Sequence, residues 1–165
     1  MIDKETYYKK KMKTVMLNTV NMVTKTEEAI IRRTSVNKDL SVAEIHTLVA
    51  VGRHQPKTMG DIAGELLINV STLSIAIKKL EKKGFVRRIR TPEDRRVVRI
   101  ELTERGDEAL AYHEKFYFEL ASEVMANMND AEKRAHLKIM ERFMKFFENK
   151  LSELGGESEE EAELS

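Results

Sequence analysis

The hydrophobic period of this 165-residue chain changes in only one place, and that change limits what it can fold into. Before Gly84 and after Leu102 the apolar residues recur at helical spacing. Between them, Phe85–Arg90 and Val97–Leu102 are rich in β-branched residues. In the second segment Val98, Ile100 and Leu102 alternate with Val97, Arg99 and Glu101, and the intervening residues 91–96 form a turn-rich loop. The pattern predicts one basic β-hairpin inside an otherwise helical chain. Seven glycines and two prolines leave few other breaks.

The helices announce their own ends. Residues 6–34 read as one long helix, with Met12, Val15, Met16, Thr19, Val23 and Ile30 on one stripe. Ser41 followed by Glu44 is a capping box, and the helix it opens should stop near Gly52. Thr58 has the same spacing to Asp61 and opens a short helix carrying Ile62, Ala63, Leu66 and Leu67. Asn69 caps the next, with Leu73, Ala76, Ile77 and Leu80 facing inward and Gly84 suited to the left-handed exit. Two short helices followed by a basic hairpin are the order of a winged helix-turn-helix, spanning residues 41–102. Thr103 caps a helix to about residue 128, with Leu110, His113, Tyr117, Leu120, Val124 and Met128 on one face. Asn129 or Asp130 caps the last helix, where Leu137, Met140, Met144, Phe147, Leu151 and Leu154 form a heptad seam. Gly155-Gly156 should end it, leaving 155–165 as an acidic disordered tail.

The fold class expected is therefore mainly α with a small β-hairpin wing, flanked by N- and C-terminal helices at 6–34 and 103–154. A lobe of this size cannot cover all those apolar stripes. The economical arrangement is a symmetric homodimer with Met12, Val15, Leu137, Met140, Met144, Phe147 and Leu151 in its interface.

Charge narrows the function. The net charge of +1 hides residues 53–105, with 13 basic and 7 acidic side chains, and residues 148–165, with 1 and 7. A basic middle in a near-neutral chain is the footprint of a polyanion-binding module. Absence of cysteine excludes a disulfide scaffold, a thiol nucleophile and a thiol redox sensor. No apolar run reaches the roughly 18 residues of a membrane span, so the expectation is a cytoplasmic protein without a membrane partner. His46, His54, His113 and His136 fall in no ligand spacing such as His-Glu-x-x-His, so neither metal nor cofactor is expected. No nucleophile–base set and no glycine-rich phosphate loop point to an enzyme.

Two stretches carry a family resemblance. Residues 94–106, Asp-Arg-Arg-Val-Val-Arg-Ile-Glu-Leu-Thr-Glu-Arg-Gly, resemble the MarR signature of an Asp-x-Arg wing tip, a strand and Leu-Thr-x-x-Gly. Residues 80–88, Leu-Glu-Lys-Lys-Gly-Phe-Val-Arg-Arg, resemble the family's exit from recognition helix to wing. Glu44-Ile45-His46-Thr47, with residues 93–98, is similar to the MarR branch that represses fatty-acid synthesis genes in response to long acyl chains on acyl carrier protein.

The resemblance implies a dimeric repressor on a pseudo-palindromic duplex. The recognition helix would present Ser71, Thr72, Ser74, Ile75, Lys78 and Lys82, whose small hydroxyls, one apolar contact and two cations suit a major groove. Arg96 would enter the minor groove, oriented by Asp94, with Arg95, Arg87, Arg88, Arg90 and Arg99 available to phosphates. Arg88 and Arg90 should share one strand face, with Arg87 on the other. An effector cleft is implied between the dimer helices and the lobe, with His46, His113 and Phe116 as candidate contacts. Nine methionines, and aromatics concentrated at Phe116, Tyr117, Phe118, Phe143, Phe146 and Phe147, suit either an interface or a lipid-shaped pocket. An acidic carrier would need a basic face, for which Lys9, Lys10, Lys11, Lys13, Arg32 and Arg33 are candidates. The competing reading from another class is a helical interaction adaptor with an incidental basic hairpin.

Overall fold

A computed structural model describes residues 3–53, 55–90 and 97–163, the last nine by backbone alone. Helix α1 spans Lys4–Arg33 and α2 spans Val42–Val51. Strand β1, Lys57–Thr58, leads into α3 (Met59–Leu66), and α4 follows at Val70–Lys82. Strands β2 (Val86–Arg90) and β3 (Val98–Leu102) precede α5 (Glu104–Met125) and α6 (Asp130–Glu163). The chain forms two compact units, Met1–Tyr117 and Phe118–Ser165.

The caps work as their sequences require. In both the Ser41 and Thr58 boxes the cap side chain accepts from the third helical N–H and the acid returns to the cap backbone. Asn69 Oδ1 accepts from Thr72 N at 2.8 Å. Gly52 and Gly84 sit at φ of 70° and 77°, where L side chains are strained. Helices α3 and α4 meet at 106° across a turn whose first residue, Leu67, is left-handed. That is the angle of a helix-turn-helix.

The first unit has one apolar core. Ile45, Leu48 and Val51 of α2, Ile62 of α3, and Leu73, Ile77 and Leu80 of α4 meet Phe85, Val86 and Ile100 of the hairpin, all essentially inaccessible. Ile31 of α1 and Ala109 of α5 join them. The sheet order is β1-β3-β2, antiparallel throughout, with Arg88 opposite Ile100 and Arg87 opposite Glu101. Strand β1 was absent from the sequence expectation: two residues show no period, and only pairing with Ile100 and Arg99 makes Lys57–Thr58 a strand.

The exit from the hairpin is tightly specified. Thr103 donates its hydroxyl to Gly84 O at 2.7 Å, and Gly106 N donates to Thr103 Oγ1 at 3.1 Å. A Cβ on Gly106 would lie 2.0 Å from Phe85 O. The Leu-Thr-x-x-Gly sequence thus caps α5 and lets it press against the wing's backbone. Arg105 lies over the Phe85 ring, 4.3 Å from its centroid, and donates to Lys83 O.

Lys83 also ties α4 to the start of α2. Its Nζ donates to Glu44 Oε1 and to Asp39 O, both at 2.7 Å. Burial would raise the Glu44 carboxyl, but Lys83 and the Ser41 cap outweigh it and hold the group below its usual range. A depressed carboxyl contributes stability above its unfolded value, and the contribution is lost as pH falls through the folded value. Glu44→Ala should therefore cost about 1–2 kcal/mol at neutral pH. That difference should shrink at a second, strongly acidic pH below the depressed folded value, where the wild-type carboxyl is itself protonated. Urea midpoints of the two proteins at both pH values check this.

The helix ends differ from expectation mostly by a turn or less. The exception is α6, which continues through Gly155 and Gly156 to Glu163 where a stop and a disordered tail were expected. Glycine costs only about 1 kcal/mol per residue in a helix interior, and the glutamates and Ala162 beyond are good helix formers. In the second unit Asn129 caps α6, accepting from Ala131 N and Glu132 N, while Glu132 accepts from Asn129 N.

The seam on α6 is uncovered. Leu137, Met140, Met144, Phe147 and Leu151 are each 42–64% exposed. Met12 and Val15 on α1 are likewise about half exposed. Apolar patches of this extent on single chains mark interfaces. Among the described residues no single helix is long and apolar enough to cross a membrane.

Candidate functional site

The outer face of α4 is built to be bare. Leu73, Ile77 and Leu80 turn fully inward, which leaves Ser71, Thr72, Ile75, Lys78 and Lys82 exposed and Ser74 half-buried. Ile75 is 61% exposed, an apolar side chain largely open to solvent. Lys78 and Lys82 make no ion pair among the described residues. Ser71 is less available than its position implies, because its hydroxyl donates to Asn69 Oδ1 at 2.7 Å.

The wing's basic residues are partly spoken for. Arg87 pairs with Glu101 across the hairpin, as their register requires, and Arg88 pairs with Glu81 of α4 at 3.2 Å. Arg99 donates to Pro56 O at 3.1 Å, bracing β1. Arg90 is exposed at the last position of β2. Asp94, Arg95 and Arg96 lie outside the described residues. The basic middle therefore projects less free charge than its formal count, and Lys78 and Lys82 carry more of it than the strand arginines. The first-helix cations show the same attenuation: Lys9 pairs with Glu5 and Arg32 with Glu28.

The effector candidates do come together, around a residue that no sequence motif singles out. Glu27 of α1 is only 5% exposed. Its Oε1 accepts from the Tyr117 hydroxyl at 2.8 Å and faces His46 Nε2 at 3.1 Å. His113 Nε2 stands 3.4 Å from the same oxygen without the alignment of a hydrogen bond, and is buried with no other partner. Burial opposes the Glu27 charge, but hydrogen bonds from His46 and Tyr117, with both imidazoles beside it, hold the carboxyl below its usual value. Burial pushes the His113 imidazole down, against the pull of Glu27, and pushes the Tyr117 hydroxyl up to about 12. Two imidazoles and a phenol thus converge on one carboxylate oxygen.

Beside this cluster His113 and Phe116 line a void with Ile30, Ile31, Asn37, Val42 and Ile45. Its volume is about 10 Å³, room for one water and not for an acyl chain. Larger spaces lie elsewhere. A groove of about 1020 Å³ runs between α2 and α4, lined by residues that include Leu66, Ile68, Thr72, Ile75 and Lys79. Another of about 490 Å³ lies on α1 along Tyr8, Met12, Met16 and Leu17, with Lys9 and Lys13 at its edge.

A helix pair at 106° with a bare second helix, followed by a basic antiparallel hairpin, is a winged helix-turn-helix, the architecture that lays a helix in the major groove of duplex DNA. The MarR family model matches residues 40–98, most of this lobe, from Leu40 to the start of β3. Over those residues the chain is similar to the MarR family, and its fold is that of winged-helix regulators. It is 32% identical to the uncharacterized HTH-type transcriptional regulator YpoP of Bacillus subtilis over 77 residues, 47% of this chain and 55% of that one. It is 34% identical to the HTH-type transcriptional regulator SarZ of Staphylococcus haemolyticus over 68 residues, 41% and 46% of the two chains. The chain spans about half the length of these curated relatives. The crystal structure of Streptococcus pneumoniae FabT in complex with DNA superposes with a TM-score of 0.76 at 26% identity, covering 85% of this chain and 97% of that one.

Proposed function

We propose that this protein is a homodimeric repressor that binds a pseudo-palindromic duplex site and acts in the cytoplasm, where the DNA is, without enzymatic activity. The observation that carries the reading is the bare α4 face, where Ile75 and the unpaired Lys78 and Lys82 project beside exposed hydroxyls. The dimer is supported by the uncovered apolar seam on α6 and stripe on α1. An adaptor with an incidental hairpin would have no use for an apolar side chain exposed among cations on α4.

Contacts divide by chemistry. Ser71, Thr72, Ser74 and Ile75 meet base edges, Ile75 fitting a thymine methyl. Lys78, Lys82 and Arg90 meet phosphates, and Arg96 takes the minor groove with Asp94 and Arg95 beside it. Arg88 reaches phosphate only by leaving Glu81. Two such lobes related by a two-fold axis would read half-sites about 34 Å apart. Log affinity should then fall by about 0.9 per neutralised phosphate for each unit of log salt. Arg96→Ala should weaken binding and relax preference for A·T at the flanks, while Lys78→Ala should weaken all sequences alike and lower the salt slope. Titration of labelled duplex at several salt concentrations tests all three. A flat salt response, or one chain per site, would overturn the reading.

The effector we infer is a long acyl chain on an acidic carrier, as in the fatty-acid branch that Glu44–Thr47 resembles. The α1 groove supports it, joining an apolar lining to Lys9 and Lys13, with Lys10, Lys11 and Arg33 exposed on the same helix. The chain must prefer one spacing of the recognition helices, since equal affinity for both would change nothing. Operator affinity with long-chain acyl carrier protein, compared with the unacylated carrier, is expected to differ. Equal affinities would remove the lipid and leave the DNA-binding reading intact.

A further inference from the structure

The cluster at Glu27 has chemistry that DNA recognition does not use. Glu27 Oε1, His46 Nε2 and His113 Nε2 come from three helices, α1, α2 and α5, and all lie within 4.8 Å of one another. The carboxylate oxygen is 3.1 Å from His46 Nε2 and 3.4 Å from His113 Nε2. A tetrahedral ion with bonds of about 2.0–2.1 Å keeps its donor atoms about 3.3 Å apart, so two of the three separations already match.

Without an ion the arrangement is poorly satisfied. His113 Nε2 is buried, has no hydrogen bond among the described residues, and stands 3.4 Å from a carboxylate oxygen that His46 and Tyr117 already occupy. Among the described residues His113 Nε2 is the one buried side-chain nitrogen without a hydrogen bond and Glu27 the one buried carboxylate, and packing alone would not require them to be neighbours. The Tyr117 hydroxyl, donating to Glu27, is the outer support that orients a carboxylate ligand. His46 is half exposed, so the cluster has a path to solvent.

We propose that Glu27, His46 and His113 bind one divalent transition-metal ion of the Zn²⁺ type, with water as its fourth ligand. Two imidazoles with a single carboxylate favour such an ion over Mg²⁺ or Ca²⁺, which take mostly oxygen. The ion pins α1 to α2 and α5, and so fixes how the recognition lobe hangs on the first helix. The site stands independently of the DNA-binding reading.

The test is competition between the untagged full-length protein and a chromophoric chelator for Zn²⁺, with Co²⁺ absorption as a report of geometry. One ion per chain is expected, with the intense visible bands of tetrahedral Co²⁺. Glu27→Gln and His46→Gln should each weaken binding at least tenfold, and His136→Gln on α6 should leave it unchanged. If Glu27→Gln fails to fold by circular dichroism, the half-exposed His46→Gln decides. Absence of a bound ion in the wild type, or wild-type affinity in His46→Gln, would overturn the site. A metal-free chain whose thermal midpoint instead tracks pH through the imidazole range would make the proton the cluster's ligand and overturn it equally.

Discussion

Gly106→Ala is expected to cost the winged lobe more than about 3 kcal/mol or to prevent its folding, although the position is helical and alanine is the better helix former. The added Cβ would sit 2.0 Å from Phe85 O and 3.1 Å from Phe85 C. Those are backbone atoms, and Phe85 O is already held by Thr103 N at 3.0 Å. Neither can turn aside as a side-chain tip would. Relief requires α5 to lift from the hairpin, which breaks the Thr103–Gly84 bond and loosens the wholly buried Phe85. Gly64→Ala is the matched control. Gly64 is also helical, a Cβ added there would meet nothing within 4 Å, and its φ is not positive. That substitution should gain up to about 1 kcal/mol through backbone entropy. Urea unfolding of the two variants separates close approach from propensity. Equal, small effects would mean that α5 and the wing are not in the contact described.

Local chemistry made much of this fold readable. The Ser41–Glu44 and Thr58–Asp61 boxes, the Asn69 cap and Gly84 each specify a helix end through neighbours a few residues away, and the structure places them there. What depends on distant residues was not readable. Strand β1 exists only because Ile100 and Arg99 pair with it. The charge of the wing overstated its reach because Glu101 and Glu81 neutralise Arg87 and Arg88 through a register that the sequence does not display. Glu27 does carry a signal in the sequence. It sits one turn after Val23 on the apolar stripe of α1, and an acid in such a position demands partners. The partners, His46, His113 and Tyr117, come from two other helices, so no spacing rule joins them.

Phe147→Asp combined with Leu151→Asp should convert the proposed dimer to monomers, the largest effect anticipated in this protein. Both side chains are about half exposed in the single chain, on α6 in the second compact unit. The substitutions therefore leave the winged lobe's core untouched, and its circular dichroism and melting should persist. Burying a phenylalanine or leucine contributes about 1.5–3 kcal/mol, and a two-fold axis uses each residue twice. With each side chain already half covered in the single chain, four lost half-burials remove about 3–6 kcal/mol of association energy before the carboxylates' own desolvation is counted. That is about two to four decades in the dimer constant, and with the desolvation cost it dissociates a nanomolar dimer at micromolar chain. DNA affinity should follow. One lobe per molecule loses the second half-site, and with it the effective-concentration advantage of on the order of a hundredfold or more. Sedimentation equilibrium gives the mass, and duplex titration gives the affinity. A folded dimer of unchanged strength would move the interface off the α6 seam, leaving the α1 stripe of Met12 and Val15 to hold the two chains together.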